Sequence, residues 1–276
     1  MEKEYYIFHE ERHLQGRKTM TSLAHTIVFI TGASSGIGRS CAYAFAEAGA
    51  KLILAARRKK RLAILAAELK KQFNAESFII ELDVRNNGAV EKFYKKLPAD
   101  WRQIDILVNN AGLSRGLSKL YEGKLEDWEE MIDTNVKGLL YVSRVVIPGM
   151  VERKKGTVIN IGSIAGHDVY PGGNVYCATK HAVDALTKGM RMDLVDTPIR
   201  VCTVDPGLVE TEFSEVRFHG DKERAKKTYQ NMTPLTPDDV ADAVLFAATR
   251  PPHVQIAELI IMPTAQASTT LVHRAQ

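Results

Sequence analysis

The sequence predicts a single α/β domain, a doubly wound parallel sheet with helices on both faces. Two observations predict it. From Thr26 onward, short apolar runs of strand length alternate with longer amphipathic stretches, the rhythm of a parallel sheet covered on both sides. The first apolar run, Ile27-Val28-Phe29-Ile30, also breaks into a glycine-rich turn, Thr31-Gly32-Ala33-Ser34-Ser35-Gly36-Ile37-Gly38. That turn opens a helical stretch, Arg39 to Ala48, closed by Gly49.

The remaining elements follow in order. Lys51 to Ala56 reads as the second strand, and Arg58 to Phe73 as a helix with Leu62, Leu65, Ala66 and Leu69 on one face. Ser77 to Leu82 is the third strand, ending at Asp83, and Asn87 to Leu97 the next helix. Ile104 to Val108 is the fourth strand, running into Asn109-Asn110-Ala111-Gly112. A long helix from Trp128 is expected to stop at Pro148-Gly149. Gly156 to Ile161 is the fifth strand, Asn174 to Val195 a long helix and Arg200 to Val204 the sixth strand, ending at Asp205-Pro206-Gly207. Residues 208–232 are polar and basic with weak periodicity, a candidate lid. Thr236 caps a helix to Ala248 with Pro237 in its first turn, and Ile256 to Ile261 is the last strand.

No composition break divides 25–276, so one domain is expected there, preceded by a flexible extension, 1–24. The formal net charge of +4 is spread along the chain and does not argue for a nucleic-acid partner. No apolar run approaches the ~20 residues of a membrane span. Cys41, Cys177 and Cys202 have neither pairing logic nor metal-ligand spacing, which points to a reducing compartment. The histidines form no ligand-spaced cluster, so no metal is expected.

Strand, glycine turn and helix N-terminus together make an anion site suited to a pyrophosphate. Ligands in such folds lie beyond the carboxyl ends of the strands. The second strand ends in Ala56-Arg57-Arg58, without the acid that would bind a ribose 2′-hydroxyl. Arg57 and Arg58 either meet a 2′-phosphate, which selects NADP over NAD, or simply begin the solvated face of Lys59, Lys60 and Arg61. Asp83 and Val84 suit an adenine amino group and face; Asp83 equally suits a helix cap. The Asn109-Asn110 pair can hold two strand ends together, with Ala111-Gly112 leaving room for a cofactor ribose.

The fifth strand ends in Gly162-Ser163. Beyond it Tyr176 and Lys180 lie one helical turn apart, on one face. A nearby ammonium favours the phenolate, so the spacing predicts a tyrosine with a lowered pKa that exchanges a proton with an alcohol or carbonyl oxygen. Ser163 would hold that oxygen, and Lys180 could also reach the nicotinamide ribose.

Thr31-Gly32-x-x-x-Gly36-x-Gly38, Asn109-Asn110-Ala111-Gly112, Asn135, Ser163, Tyr176-x-x-x-Lys180 and Pro206-Gly207 together resemble the short-chain dehydrogenase/reductase family, in order and at family spacing over residues 25–265. The resemblance implies a Rossmann-like fold, NADP as cofactor and a catalytic tetrad on Asn135, Ser163, Tyr176 and Lys180. Asn135 would hold a water that links Lys180 to solvent. Further stretches, among them Met131-Ile132-Asp133-Thr134-Asn135 and Pro206-Gly207-Leu208-Val209-Glu210-Thr211-Glu212-Phe213, are similar to the NADP-dependent 3-hydroxy acid dehydrogenases. That subfamily is typically a cytoplasmic homotetramer. On this likeness Gly32, Ala33, Ser34, Ser35, Gly36, Ile37, Arg57, Arg58, Asp83, Val84, Asn110, Tyr176, Lys180, Pro206, Gly207, Leu208, Val209, Thr211 and Phe213 would line the cofactor.

The implied reaction is hydride transfer between NADP and C3 of a short 3-hydroxy acid of the L-serine, L-allo-threonine, 3-hydroxyisobutyrate or 3-hydroxypropionate type. Ser163 and Tyr176 would contact the substrate. Its carboxylate needs a partner, for which Arg115, Arg217 and Arg224 are candidates. Arg217, in the expected lid, is the one chosen, although a solvated loop charge accounts for it as well. A broad carbonyl reductase of the same family fits the motifs too. A non-catalytic NADP-binding regulator fits less well, since such proteins usually lose the tyrosine or the lysine.

Overall fold

The computed structural model describes residues 22–275. Seven parallel strands run in the order β3-β2-β1-β4-β5-β6-β7. They are β1 (Ile27–Thr31), β2 (Lys51–Ala56), β3 (Ser77–Glu81), β4 (Ile106–Asn109), β5 (Thr157–Ile161), β6 (Arg200–Pro206) and β7 (Glu258–Ile261). The helices are α1 (Gly36–Glu47), α2 (Lys59–Phe73), α3 (Asn87–Lys96), α4 (Leu125–Ile132), α5 (Gly138–Arg153), α6 (Asn174–Asp193), the short α7 (Phe213–Arg217) and α8 (Lys222–Lys227), and α9 (Pro237–Ala248). Strand order reverses between β1 and β4, and the C-terminal ends of those two strands flank a crevice.

Side chains alternate across each central strand. Val28 and Ile30 of β1 enter a core with Phe45 of α1, Leu65 of α2 and Val244 of α9. Ile27 and Phe29 enter a second core with Phe93 of α3 and Val146 and Met150 of α5. Period-two alternation within a continuous apolar run thus buries both faces of the sheet.

The expected elements all form, with boundaries shifted by a few residues. The largest difference lies between 125 and 153. The predicted long helix forms without a break but starts earlier, at Leu125, and one π-helical turn, Asp133–Lys137, interrupts its α-helical ladder between α4 and α5. It does not stop at Pro148-Gly149. The helix continues to Arg153 and ends at Lys154, whose φ of 54° is left-handed. The lost backbone hydrogen bond at Pro148 is outweighed by the burial of Val146 and Met150 against the sheet. Gly149 serves packing: a Cβ there would lie 3.0 Å from the Tyr94 hydroxyl of α3.

The candidate lid contains α7 and α8. Thr236 caps α9 as expected, in a reciprocal box with Asp239. The expected flexible extension lies outside the described residues except at 22–24. There Leu23 is already buried and its N–H donates to Ala48 O at 2.9 Å, so the packed domain starts before residue 25.

The turn between β1 and α1 allows no added atoms. A Cβ at Gly38 would lie 2.4 Å from Asn110 Nδ2 and 2.6 Å from Gly32 O. Gly38→Ala is therefore expected to lose about 1–3 kcal/mol of stability, read as a lowered urea midpoint with unchanged slope.

Candidate active site

One cavity of about 690 Å³ opens beyond the carboxyl ends of β1 to β6. Of the residues expected around the cofactor, Ala33 is not on its wall. It is fully buried in the core and its N–H donates to Ala55 O at 3.1 Å. The others expected there line the cavity.

At the cavity floor Asn110 staples two strand ends. Its Nδ2 donates to Thr31 O at 2.9 Å, while Thr31 Oγ1 accepts the N–H groups of Asn110 and Ala111, each at 3.0 Å. Gly32 and Gly36 sit at φ values of 67° and 52°, the left-handed region that suits glycine. The N-terminal turn of α1 faces the cavity through Gly36 and Ile37. Next door, Asn109 Nδ2 donates to Asn160 Oδ1 at 2.9 Å, tying β4 to β5.

Arg58 faces this turn. Its Nε donates to Ser34 Oγ at 3.2 Å and its Nη2 to Ser35 Oγ at 2.6 Å. A guanidinium with two hydroxyls fits a phosphate. Arg57 points the other way, toward Glu130 at 3.5 Å. Glu212 accepts from both Arg58, at 2.8 Å, and Arg61, tying the start of the lid to the same cluster.

Asp83 does not cap the helix that follows: Asn86 does, accepting the Ala89 N–H at 2.9 Å. Arg85 instead grips both Asp83 oxygens, and these hydrogen bonds hold the carboxyl below its usual range.

Around Ser163 and Tyr176 the fold brings together residues far apart in the chain. Tyr176 and Lys180 lie on the buried face of α6. Lys180 Nζ donates to Ile161 O at 2.9 Å. The Ser163 N–H donates to Asp205 Oδ1 at 3.0 Å, and Ser163 Oγ accepts the Ala165 N–H at 3.1 Å. Asp205 packs so closely on Gly162 that no Cβ would fit there. Asn135, on the π-helical turn, clamps Leu113 from both ends: Oδ1 accepts its N–H at 2.8 Å and Nδ2 donates to its carbonyl at 2.9 Å. Nδ2 also donates to Thr179 Oγ1 of α6 at 3.0 Å.

The expected lowering of the Tyr176 pKa by Lys180 does not hold in this geometry. Burial, first, pushes the phenol up; the half-buried Tyr170 adds to this, while Arg217 and the Ser163 hydroxyl pull it back. Lys180 Nζ lies over the ring, 5.9 Å from its centroid. Burial also depresses the lysine, to about 8, against the attraction of Asp205. Desolvation disfavours both charged forms at once.

Arg217 is the cation that pulls the phenol pKa down. Its guanidinium lies 5.3 Å from the Tyr176 ring centroid and 5.1 Å from that of Phe213. Nε donates to Ser114 Oγ at 3.1 Å and Nη2 to Tyr170 Oη at 2.9 Å. Among the described residues no carboxylate pairs with it. Arg115 is instead committed to Glu130, at 2.6 Å, and to Val216 O. Arg224 is exposed over Phe218, 4.3 Å from its ring centroid, and is absent from the cavity wall.

Sequence reasoning missed Ser114 and Tyr170, the partners of Arg217, and the tail residues Thr269, Thr270, Val272 and Arg274, which also line the cavity. Arg274 holds the lid by donating to Thr228 O at 3.0 Å. No periodicity or motif marks any of them.

The profile of the family described as short chain dehydrogenase matches residues 26–222. The chain belongs to the short chain dehydrogenase family. It is similar to an NADP-dependent 3-hydroxy acid dehydrogenase of Salmonella typhi, 51% identical over 251 residues that span 90% of this chain and 100% of that protein. A Schizosaccharomyces pombe protein described as an NADP-dependent 3-hydroxy acid dehydrogenase is 44% identical over 258 residues, 93% of this chain and 100% of its own. Among solved structures, the closed form of a serine dehydrogenase complexed with NADP+ matches with a TM-score of 0.85 at 49% identity, covering 91% of this chain and all (100%) of that one. The serine dehydrogenase from Escherichia coli matches with a TM-score of 0.76 at 44% identity, covering 88% of this chain and 100% of that one. The seven-stranded sheet and single Rossmann-like domain are those of short chain dehydrogenases. No helix of the described residues is long and apolar enough to cross a membrane.

The lysine carries a signed pH dependence. Its pKa is about 8 folded against 10.5 for an ordinary lysine. Between those values the unfolded chain holds more protons, so this group's contribution to stability rises as pH rises through the window and is lost as pH falls to about 8. Lys180→Met should be most stabilising relative to the parent below that window, with the difference shrinking toward its upper end. Urea midpoints of both proteins across the window check it.

Proposed function

We propose that the protein transfers a hydride between NADP and C3 of a short 3-hydroxy acid of the L-serine, L-allo-threonine, 3-hydroxyisobutyrate or 3-hydroxypropionate type. The observation that carries this reading is Arg217, a guanidinium free of carboxylate partners among the described residues, in the same cavity as Tyr176 and Ser163. The names of the similar proteins point the same way.

The residues fit the cofactor. The glycine turn would receive the pyrophosphate, Arg58 with Ser34 and Ser35 the 2′-phosphate, and Asp83 with Val84 the adenine. Asn110, Lys180 and the stretch from Pro206 to Phe213 would hold the nicotinamide half. When bound, the nicotinamide supplies or accepts the hydride.

The chain's own residues handle the proton and the oxygen. Ser163, fixed through its N–H by Asp205, holds the substrate oxygen by its hydroxyl. Tyr176 gives the carbonyl oxygen a proton in reduction and takes the hydroxyl proton in oxidation. Burial keeps the phenol protonated, which suits the reductive direction; Arg217 opposes the burial and brings the phenol toward use as a base. Arg217 thus has two tasks, to bind the carboxylate and to tune Tyr176. Asn135 fixes the loop at Leu113 and would keep the relay water near Lys180. A homotetramer is supported by exposed apolar side chains on two faces: Ile132 and Leu140 on α4 and α5, Phe246 and Ile260 on α9 and the edge strand β7.

Arg217→Ala tests the substrate. KM for L-serine or 3-hydroxyisobutyrate should rise about tenfold or more, the loss of one charged hydrogen-bonding partner, while reduction of an uncharged ketone keeps its KM. Removing the cation also lets the phenol pKa rise further, so the pH limb assigned to Tyr176 should move to higher pH. Equal KM changes for charged and uncharged substrates would overturn the assignment.

Arg58→Ala tests the cofactor. KM for NADP should rise about 10–100-fold, with KM for NAD nearly unchanged. Steady-state kinetics with both dinucleotides read the difference.

A further inference from the structure

Outside the cavity's catalytic wall, three side chains from separate parts of the fold converge. His167 follows the turn after β5, Asp205 lies near the end of β6 and Glu258 begins β7. The β6–β7 register pairs Thr203 with Glu258, so Asp205 and Glu258 project from the same sheet face. One ligand atom from each of the three lies within 4.8 Å of the others. His167 Nε2 is 3.1 Å from Glu258 Oε1 and 3.5 Å from Asp205 Oδ2.

The Asp205 side chain is 3% exposed, and its Oδ2 has no hydrogen-bond partner. Buried polar atoms are nearly always paired, so an orphan carboxylate oxygen aimed into a cluster calls for a ligand. No lysine or arginine of the described residues forms an ion pair with either carboxylate. A single Nε2–H has one direction and serves one acceptor well, not two. A cation bonded to all three atoms satisfies them together. Bonds of about 2.0–2.2 Å to a tetrahedral ion set neighbouring ligand atoms about 3.3–3.6 Å apart. The two separations from His167 Nε2, 3.1 and 3.5 Å, bracket the lower end of that range, the two carboxylate oxygens lie within 4.8 Å of each other, and the partly exposed Glu258 can shift to close the geometry. His167 and Glu258 leave the solvent side open for a water in the fourth position. An imidazole with two carboxylates favours a borderline transition ion over magnesium or calcium, which prefer all-oxygen sites.

We infer that His167, Asp205 and Glu258 form a site for a divalent transition-metal ion of the zinc type. The ion ties the turn after β5 to β6 and β7. It also fixes the carboxylate whose other oxygen receives the Ser163 N–H at 3.0 Å. Its role is to position that turn; no step of the reaction passes through it.

The test uses full-length protein stripped with a chelator and titrated with zinc chloride by calorimetry, with thermal unfolding in parallel. One saturable zinc per chain is expected, with a raised Tm, and no comparable effect of magnesium. His167→Ala and, separately, the milder Glu258→Gln should weaken zinc by about tenfold or more and abolish the rise in Tm. Both positions are partly exposed, and unfolding of the zinc-free variants reports that they fold. Absence of saturable binding overturns the site. So does binding unchanged in the two variants, which would place zinc elsewhere, or equal binding of magnesium.

Discussion

The glycine turn after β1 and the Asn110 amide occupy almost the same space, and much else depends on that contact. The Nδ2 atom sits where a side chain at Gly38 would have to go, and it spends its hydrogen bonds on the Thr31 and Gly32 carbonyls. Thr31 returns the bond by accepting the next two N–H groups of the β4 loop. The ends of β1 and β4 are thereby stapled at the position where the strand order reverses. The first turn of α1 and the Arg58 cluster are built on that staple. A flexible turn there would leave the N–H groups of α1 without a fixed aim, and an anion site works by fixed aim.

Burial shapes the reacting centre in two opposing ways. It brings Tyr176, Lys180 and Ser163 into one enclosed wall, where each hydrogen bond is strengthened by a low dielectric. It also penalises the phenolate and the ammonium that the proposed chemistry would use. Sequence spacing suggests that the lysine settles this contest. In the folded chain the lysine is itself desolvated and spends a proton on the Ile161 carbonyl. The counterweight comes from Arg217, on a short helix remote in sequence.

That helix is held from several sides. Arg115 donates to Val216 O, and the Gly116 N–H donates to Arg217 O at 2.8 Å. Glu212 joins Arg58 and Arg61 to the start of α7, and Arg274 grips the far end of the segment. The lid is therefore coupled at one end to the proposed 2′-phosphate site and at the other to the C-terminal tail. In the proposed function, the 2′-phosphate site and the helix that carries Arg217 would share Glu212.

By itself the sequence determined the alternation of strands and helices, the parallel sheet, the glycine turn and the residues at each strand end. These are local signals: periodicity, caps and turn chemistry act over a few residues. Only the tertiary structure decided whether Pro148 ends a helix, since burial of Val146 and Met150 outweighs one lost hydrogen bond. Only it assigned Asp83 to Arg85, Asn135 to Leu113 and Ala33 to the core. It alone joined His167, Asp205 and Glu258, which no spacing connects, and brought the C-terminal tail onto the cavity. Pairings of this kind depend on distances that exist only after the sheet has assembled, and a neighbour in space leaves no mark on a neighbour in sequence.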